Sequence, residues 1–185
     1  MGSTFRAVRP MSYSEIELSA THIRKLLRIE PDARVQMVQL IEIVLDEVLP
    51  DYLFQVLPDE DMPGMDGLTE LGRYGICLAE HTYTDLCKGD PEARYVAAHE
   101  LGHLMLHSGQ RPSMARRSFN DDRVDPEWQA DRFADVWLMP RAGVAKCKSA
   151  NEVATRFTVP IEAAERRFAE ILPLKFQEIQ GELFQ

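Results

Sequence analysis

The sequence predicts an α+β fold on three observations. Strand-like runs are confined to residues 52–79, amphipathic helical patterns flank them on both sides, and Asp-Pro helix starts stand at 90–91 and 125–126. Ser12 and Ser14 precede Glu15 and Glu17 at capping-box spacing. Ile16, Ala20, Ile23 and Leu27 then recur at helical intervals, predicting a helix over residues 14–28. Pro31 ends that helix and suits an early position in a second one. The apolar face of this second helix, Val35, Val38, Ile41, Leu45 and Val48, stops before Pro50. Residues 52–57 are aromatic and aliphatic between prolines, which predicts a strand. The acidic triplet Asp59-Glu60-Asp61 that follows lacks the alternating ligands of a calcium loop and reads as a solvated turn. Residues 68–71 and 74–79 suit a hairpin across Gly72-Arg73. Asp90-Pro91 opens a helix that runs through His107 to Ser108-Gly109, and Asp125-Pro126 opens another that ends before Pro140. Between them lies a polar connector, 110–124, carrying Arg111, Arg116, Arg117 and Arg123. Helical patterns over 151–158 and 161–172 follow.

At 185 residues with 45% hydrophobic content, the chain can bury a core without disulfides. One domain is expected: helices over 1–50, a core over 51–140 with the sheet and both Asp-Pro helices, and helices over 141–185. A formal net charge of −9 argues against direct nucleic-acid binding, which needs clustered Lys and Arg. Cys77, Cys87 and Cys147 match no metal or redox spacing, so they read as free thiols in a reducing compartment or as small buried apolar groups. There is no apolar leader and no apolar run near the ~18 residues that span a bilayer. A cytoplasmic protein with no membrane partner is therefore expected.

The informative stretch is His99-Glu100-Leu101-Gly102-His103. Residues four apart on a helix point the same way, so both imidazoles can reach one metal ion. Imidazole nitrogen suits Zn²⁺, and two ligands from one helix leave the rest of a tetrahedron open. Glu100 is placed to take a proton from water activated by that ion, the arrangement of zinc-dependent peptide hydrolases. Gly102 costs the helix roughly 1 kcal/mol against Ala, which is explicable where another segment must approach closely.

A third ligand must come from elsewhere. His107 shares the face of His103 but lies eight residues beyond His99, about 12 Å of rise. It reads as a helix-end residue facing the dipole or as part of the cleft rim, and not as a ligand. Glu127, in the first turn of the helix opened by Asp125-Pro126, is the better candidate. On its own it would be an ordinary solvated carboxylate near a helix N-terminus. Asp131, one turn on, is placed to orient a ligand histidine through its second ring nitrogen. Gln129 points elsewhere, since i and i+2 do not share a helix face.

The segments "AAHELGHLMLH" and "DPEWQADRFADVWLMP" resemble the paired signatures of ImmA/IrrE-type metallopeptidases, with further likeness at "RPMSYSEIE" and "VATRFTVPIEAAERRF". The likeness covers most of residues 8–172, and only the two central segments are diagnostic. It implies a gluzincin-like, minimal zincin-like fold, with a small antiparallel or mixed sheet on the metal-bearing helix and flanking N- and C-terminal helices. By position it implies His99, His103 and Glu127 as ligands of one catalytic Zn²⁺, and Glu100 as general base. Family members act inside bacterial cells, and several cut or inactivate helix-turn-helix repressors of mobile elements or stress regulons. A transcriptional repressor is thus the protein substrate the resemblance implies. Trp137 departs from the family, which usually has a small or aliphatic residue there, in a way that concerns packing and not metal chemistry.

Hydrolysis also needs a donor to the oxyanion, for which Tyr74, Tyr83, Tyr95 and His107 are candidates. The connector 110–124 reads either as a lid recruiting an acidic substrate segment or as a plain surface loop. Two other functions compete with the enzyme. Ala154, Phe157, Val159 and Ala163 have roughly the spacing of a helix-turn-helix core, but Glu152, Glu162, Glu165 and Glu170 offset Arg156, Arg166 and Arg167. Core packing is the preferred account, because a DNA-reading helix carries a basic excess. The other alternative is a metal-binding regulatory module with latent peptidase activity.

Overall fold

A computed structural model describes residues 4–70, 74–108, 113–116 and 122–183. Strand β1 (Thr4–Ala7) is followed by helix α1 (Tyr13–Leu26). Of the two serines at capping-box spacing, Ser12 is the cap: its N–H donates to Glu15 Oε2 over 2.8 Å, and Glu15 N–H donates back to Ser12 Oγ. Ile16 and Ala20 are buried on its inner face.

The second helix begins later than Pro31 suggests. Residues 31–36 are not helical, and the helical run comprises α2 (Met37–Gln39), a π-helical stretch (Leu40–Val44) and α3 (Leu45–Val48). The cause is Arg24. Its buried guanidinium donates to the carbonyls of Glu30 (3.0 Å), Ala33 (2.7 Å) and Trp137 (2.8 Å). The first two are turned toward that cation instead of along a helix axis.

Strands β2 (Leu53–Leu57), β3 (Gly67–Glu70) and β4 (Gly75–Ala79) form a mixed sheet in the order β2-β4-β3. β4 runs parallel to β2 and antiparallel to β3, with Phe54 and Thr69 both opposite Ile76. The turn expected at Gly72-Arg73 lies outside the described residues. Alternation puts Thr69, Ile76, Gly67 and Leu78 on one face, which packs on α5 (Pro91–His107) and buries Ile76 and Leu78 completely.

Helix α4 (Glu80–Lys88) is not among the expected elements. It has no side-chain N-cap, and its clearest local signal is Gly89, which closes it at φ 83°. α5 and α6 (Pro126–Leu138) start where the Asp-Pro pairs place them. Asp90 accepts from Ala93 N (2.9 Å), and Asp125 from Glu127 N (3.0 Å). In the connector Ser113–Arg116 forms β5, which pairs antiparallel with β1; Arg111 and Arg117 lie outside the described residues. α7 (Arg141–Val144), α8 (Ala150–Phe157) and α9 (Ile161–Leu183) follow, the last extending beyond the expected end at 172. The helix-turn-helix spacing serves the core, since Phe157, Val159 and Ala163 are buried and Phe157 fills the space left by Gly143. Among the described residues no helix is long and apolar enough to cross a membrane.

Candidate metal centre

Helices α5 and α6 touch where Gly102 meets Ala130. A Cβ on Gly102 would stand 3.0 Å from both Cα and O of Ala130 and 3.2 Å from Phe133 Cβ. Only glycine lets the two backbones come this close. The contact sets His99 and His103 of α5 beside Glu127 in the first turn of α6. The two Nε2 atoms are 2.9 Å apart, and Glu127 Oε2 is 3.2 Å from that of His99 and 3.5 Å from that of His103. The imidazole side chains are 19% and 13% exposed and the Glu127 side chain 67%, so the cluster opens to solvent on its carboxylate side. Among the described residues these three form the one group of His, Cys, Asp or Glu whose ligand atoms all lie within 4.8 Å of one another.

The surrounding charges suit a cation. Asp131 Oδ1 lies 2.9 Å from His99 Nδ1 and accepts its proton, so Nε2 is the nitrogen turned toward the cluster. Burial opposes a charged His99, but hydrogen bonds with Asp131 and Glu127 outweigh it and push its pKa up to about 9. The imidazoles of His103 and His99 beside it hold the Glu127 carboxyl well below the usual carboxylate range. Two imidazole nitrogens and an ionised carboxylate converging on one point fit a tetrahedral Zn²⁺ with one open position.

The family model of the IrrE N-terminal-like domain matches residues 85–169. This stretch resembles the ImmA/IrrE-type peptidases. It contains His99, Glu100, His103, Glu127 and Asp131, so the part of the chain that matches a metallopeptidase family also holds the metal-competent cluster. A search of the curated proteins found no match.

Within the IrrE-type domain, Glu100 points under the sheet and is only 7% exposed. Thr69 Oγ1 lies 2.7 Å from Glu100 Oε2 and 2.9 Å from its backbone carbonyl. Gly67 completes the cover, as a Cβ there would stand 2.7 Å from Glu100 Cγ. β3 therefore lies directly on the expected base. Nothing in the spacing of Gly67 and Thr69 announces this.

Two expectations need correction. His107 is the last residue of α5, as expected of a helix-end residue, but it is not on the rim: it is 1% exposed, and its Nδ1 lies 3.1 Å from His103 Nδ1. Burial pulls its pKa down to about 4, against the opposing hydrogen bond with Gln129. Gln129 leaves the Glu127 face, as its spacing requires, yet it belongs to the site, for its Oε1 lies 3.0 Å from His107 Nε2. The signal available in the sequence is His103 and His107 one turn apart on one face.

Of the four oxyanion candidates, three are engaged elsewhere. Tyr95 donates to Asp135 Oδ1 (3.0 Å), Tyr83 bonds Glu42, and His107 is buried against His103. Tyr74, 43% exposed just before β4, is the one left with a side chain in solvent. Trp137 lies in the core, stacked on Phe133 at 5.6 Å with the Arg24 guanidinium 5.7 Å from its ring centre. It packs α6 against α1 and does not touch the cluster.

Proposed function

We propose that this chain is a cytoplasmic zinc-dependent endopeptidase that cuts a helix-turn-helix transcriptional repressor. The observation that carries the chemistry is the convergence of two imidazole nitrogens and an ionised carboxylate, with a shielded glutamate next in sequence to the first histidine. His99, His103 and Glu127 would hold the ion, and Asp131 orients His99. Bound there, Zn²⁺ supplies Lewis-acid activation of water and of the peptide carbonyl. Glu100 takes the proton from the attacking water and delivers it to the leaving amine. Thr69 holds one oxygen of that carboxylate and leaves the other for the exchange. β3 is an edge of the three-stranded sheet, so its outer backbone groups can pair with an extended substrate segment beside Glu100. The repressor as substrate class rests on the family likeness, and three cysteines that form no disulfide with one another agree with a reducing compartment.

The test compares the proteomes of bacterial cells making the wild-type chain or Glu100→Gln. One regulator should be cut only by the wild type, while the purified variant still binds Zn²⁺. Continued cleavage by Glu100→Gln would remove the assignment of the base. A second reading, a metal-binding module with latent peptidase activity, draws on the burial of Glu100 and its bonds with Thr69. A wild-type protein that binds Zn²⁺ but cleaves nothing, together with a Thr69→Val variant that cleaves, would favour it.

A further inference from the structure

The two histidines of the cluster are supported differently. His99 faces an anionic carboxylate, whereas His103 backs onto a chain of neutral groups that ends on the main chain. Its far end leaves no choice of hydrogen positions. Gln129 Nε2 lies 2.8 Å from Arg9 O and 2.6 Å from Arg123 O. A carbonyl oxygen can only accept, so both amide hydrogens of Gln129 are committed to these two bonds. The reversed amide would set Oε1 against two other oxygens. Gln129 Oε1 therefore faces His107 Nε2 at 3.0 Å, and that nitrogen must carry a hydrogen. His107 and Gln129 are 1% and 0% exposed, so water is not at hand to serve either one. In the neutral ring His107 Nδ1 then holds a lone pair and accepts from His103 Nδ1–H over 3.1 Å. His103 Nε2 is left without a hydrogen, so it accepts from His99 Nε2–H over 2.9 Å in the metal-free protein and offers the same lone pair to a cation.

We infer that His107 and Gln129 are positioning residues that fix the tautomer and ring orientation of His103, with the backbone carbonyls of Arg9 and Arg123 as the reference. The inference rests on reading His103 as a metal ligand, and it extends the site to the N-terminal segment. Met11 N–H also donates to Arg123 O (3.0 Å), and Val8 N–H to Val124 O (3.2 Å). The stretch before α1 is thus fastened to the end of the connector at the point that Gln129 reads. His103 presents the correct nitrogen only while these two segments are docked together.

Two measurements on the full chain test this. In the metal-free wild type, ring ¹⁵N–¹H correlation spectra should show His107 with hydrogen on Nε2 and His103 with hydrogen on Nδ1. The opposite tautomer at either ring, or an equal mixture, would overturn the inference without any substitution. Competition against a chromophoric chelator should then show a 10–100-fold loss of Zn²⁺ affinity in His107→Phe, the usual effect of removing such a support. His107→Asn, whose amide oxygen can take the place of Nδ1, should recover most of that loss. Wild-type affinity in His107→Phe would also overturn it. If His103→Ala binds Zn²⁺ as tightly as the wild type, what fails is the metal-centre reading itself, a different result from either of these.

Discussion

Gly102→Ala sets two effects of opposite sign against each other. In a solvent-facing helix the change would stabilise by about 1 kcal/mol, because alanine is the better helix former. Here the new methyl would lie 3.0 Å from two backbone atoms of Ala130, neither at the end of a flexible side chain. Carbon atoms pack best at about 3.5–4.0 Å, so α5 and α6 must part by about 0.5 Å. Overpacking of this kind costs about 1–3 kcal/mol, which outweighs the propensity gain and leaves a net loss of about 1 kcal/mol. For a chain of this size that lowers Tm by about 2–4 °C. The sharper effect falls on the cluster. Glu127 is three residues from Ala130 on the same helix and moves with it. Ligand distances tolerate only about 0.2 Å, so Zn²⁺ affinity should fall at least tenfold. Calorimetry of the metal-free protein and chelator competition measure the two effects separately. A Gly102→Ala protein that is more stable than the wild type and binds Zn²⁺ equally well would refute the claim that this contact sets the ligand geometry.

Asp131→Asn keeps an oxygen near His99 Nδ1 but removes the charge, and should weaken Zn²⁺ binding by about 10–100-fold in the same competition assay. Arg167 is fully buried and donates to Glu17 (2.5 Å) and to the Met139 carbonyl (3.0 Å), fastening α9 to α1 and to the end of α6. Arg167→Met should destabilise by about 3 kcal/mol, read as a lower urea midpoint at unchanged slope. His81 bridges Asp59 (2.8 Å) and Asp66 (3.1 Å), whose hydrogen bonds raise its pKa, while Asp59 is held low by the backbone N–H and ring of His81. A raised histidine value means that the clamp is complete below the ordinary histidine pKa and is lost as pH rises through the raised one. Hydrogen exchange at Asp61 and Met65, corrected for intrinsic rates, should therefore quicken over that rise in the wild type. It should show no such step in His81→Ala.

Local chemistry made α5 and α6 legible, since a capping Asp followed by Pro states a helix start within two residues. The late start of the second helix is illegible for the opposite reason. The competitor for residues 30–33 is Arg24, a side chain on another helix that lies against Trp137. β5 is likewise made by β1, from the far end of the chain, and its own polar sequence gives no sign of a strand. In the cluster, the i, i+4 histidines are visible from spacing, while Glu127 and Asp131 needed both helix register and family likeness. Gln129 could not be placed at all from sequence. Two of its three partners are backbone carbonyls, at Arg9 and Arg123, and a carbonyl leaves no mark in the residue code. Thr69 is hidden in the same way, because its role depends on which strand of the sheet lies over α5.

The connector between the two metal-bearing helices gives coordination a mechanical meaning. A cation shared by His103 and Glu127 would cross-link points about two dozen residues apart, constraining the unfolded chain as a disulfide does, by about 3 kcal/mol for a loop of that length. β5 lies inside this loop, and the strand it pairs with is β1. The loop would thus be held by two fasteners, one inorganic and one a piece of the chain's own beginning. Metal starvation and trimming of the first dozen residues would then loosen the same length of polypeptide, from opposite ends.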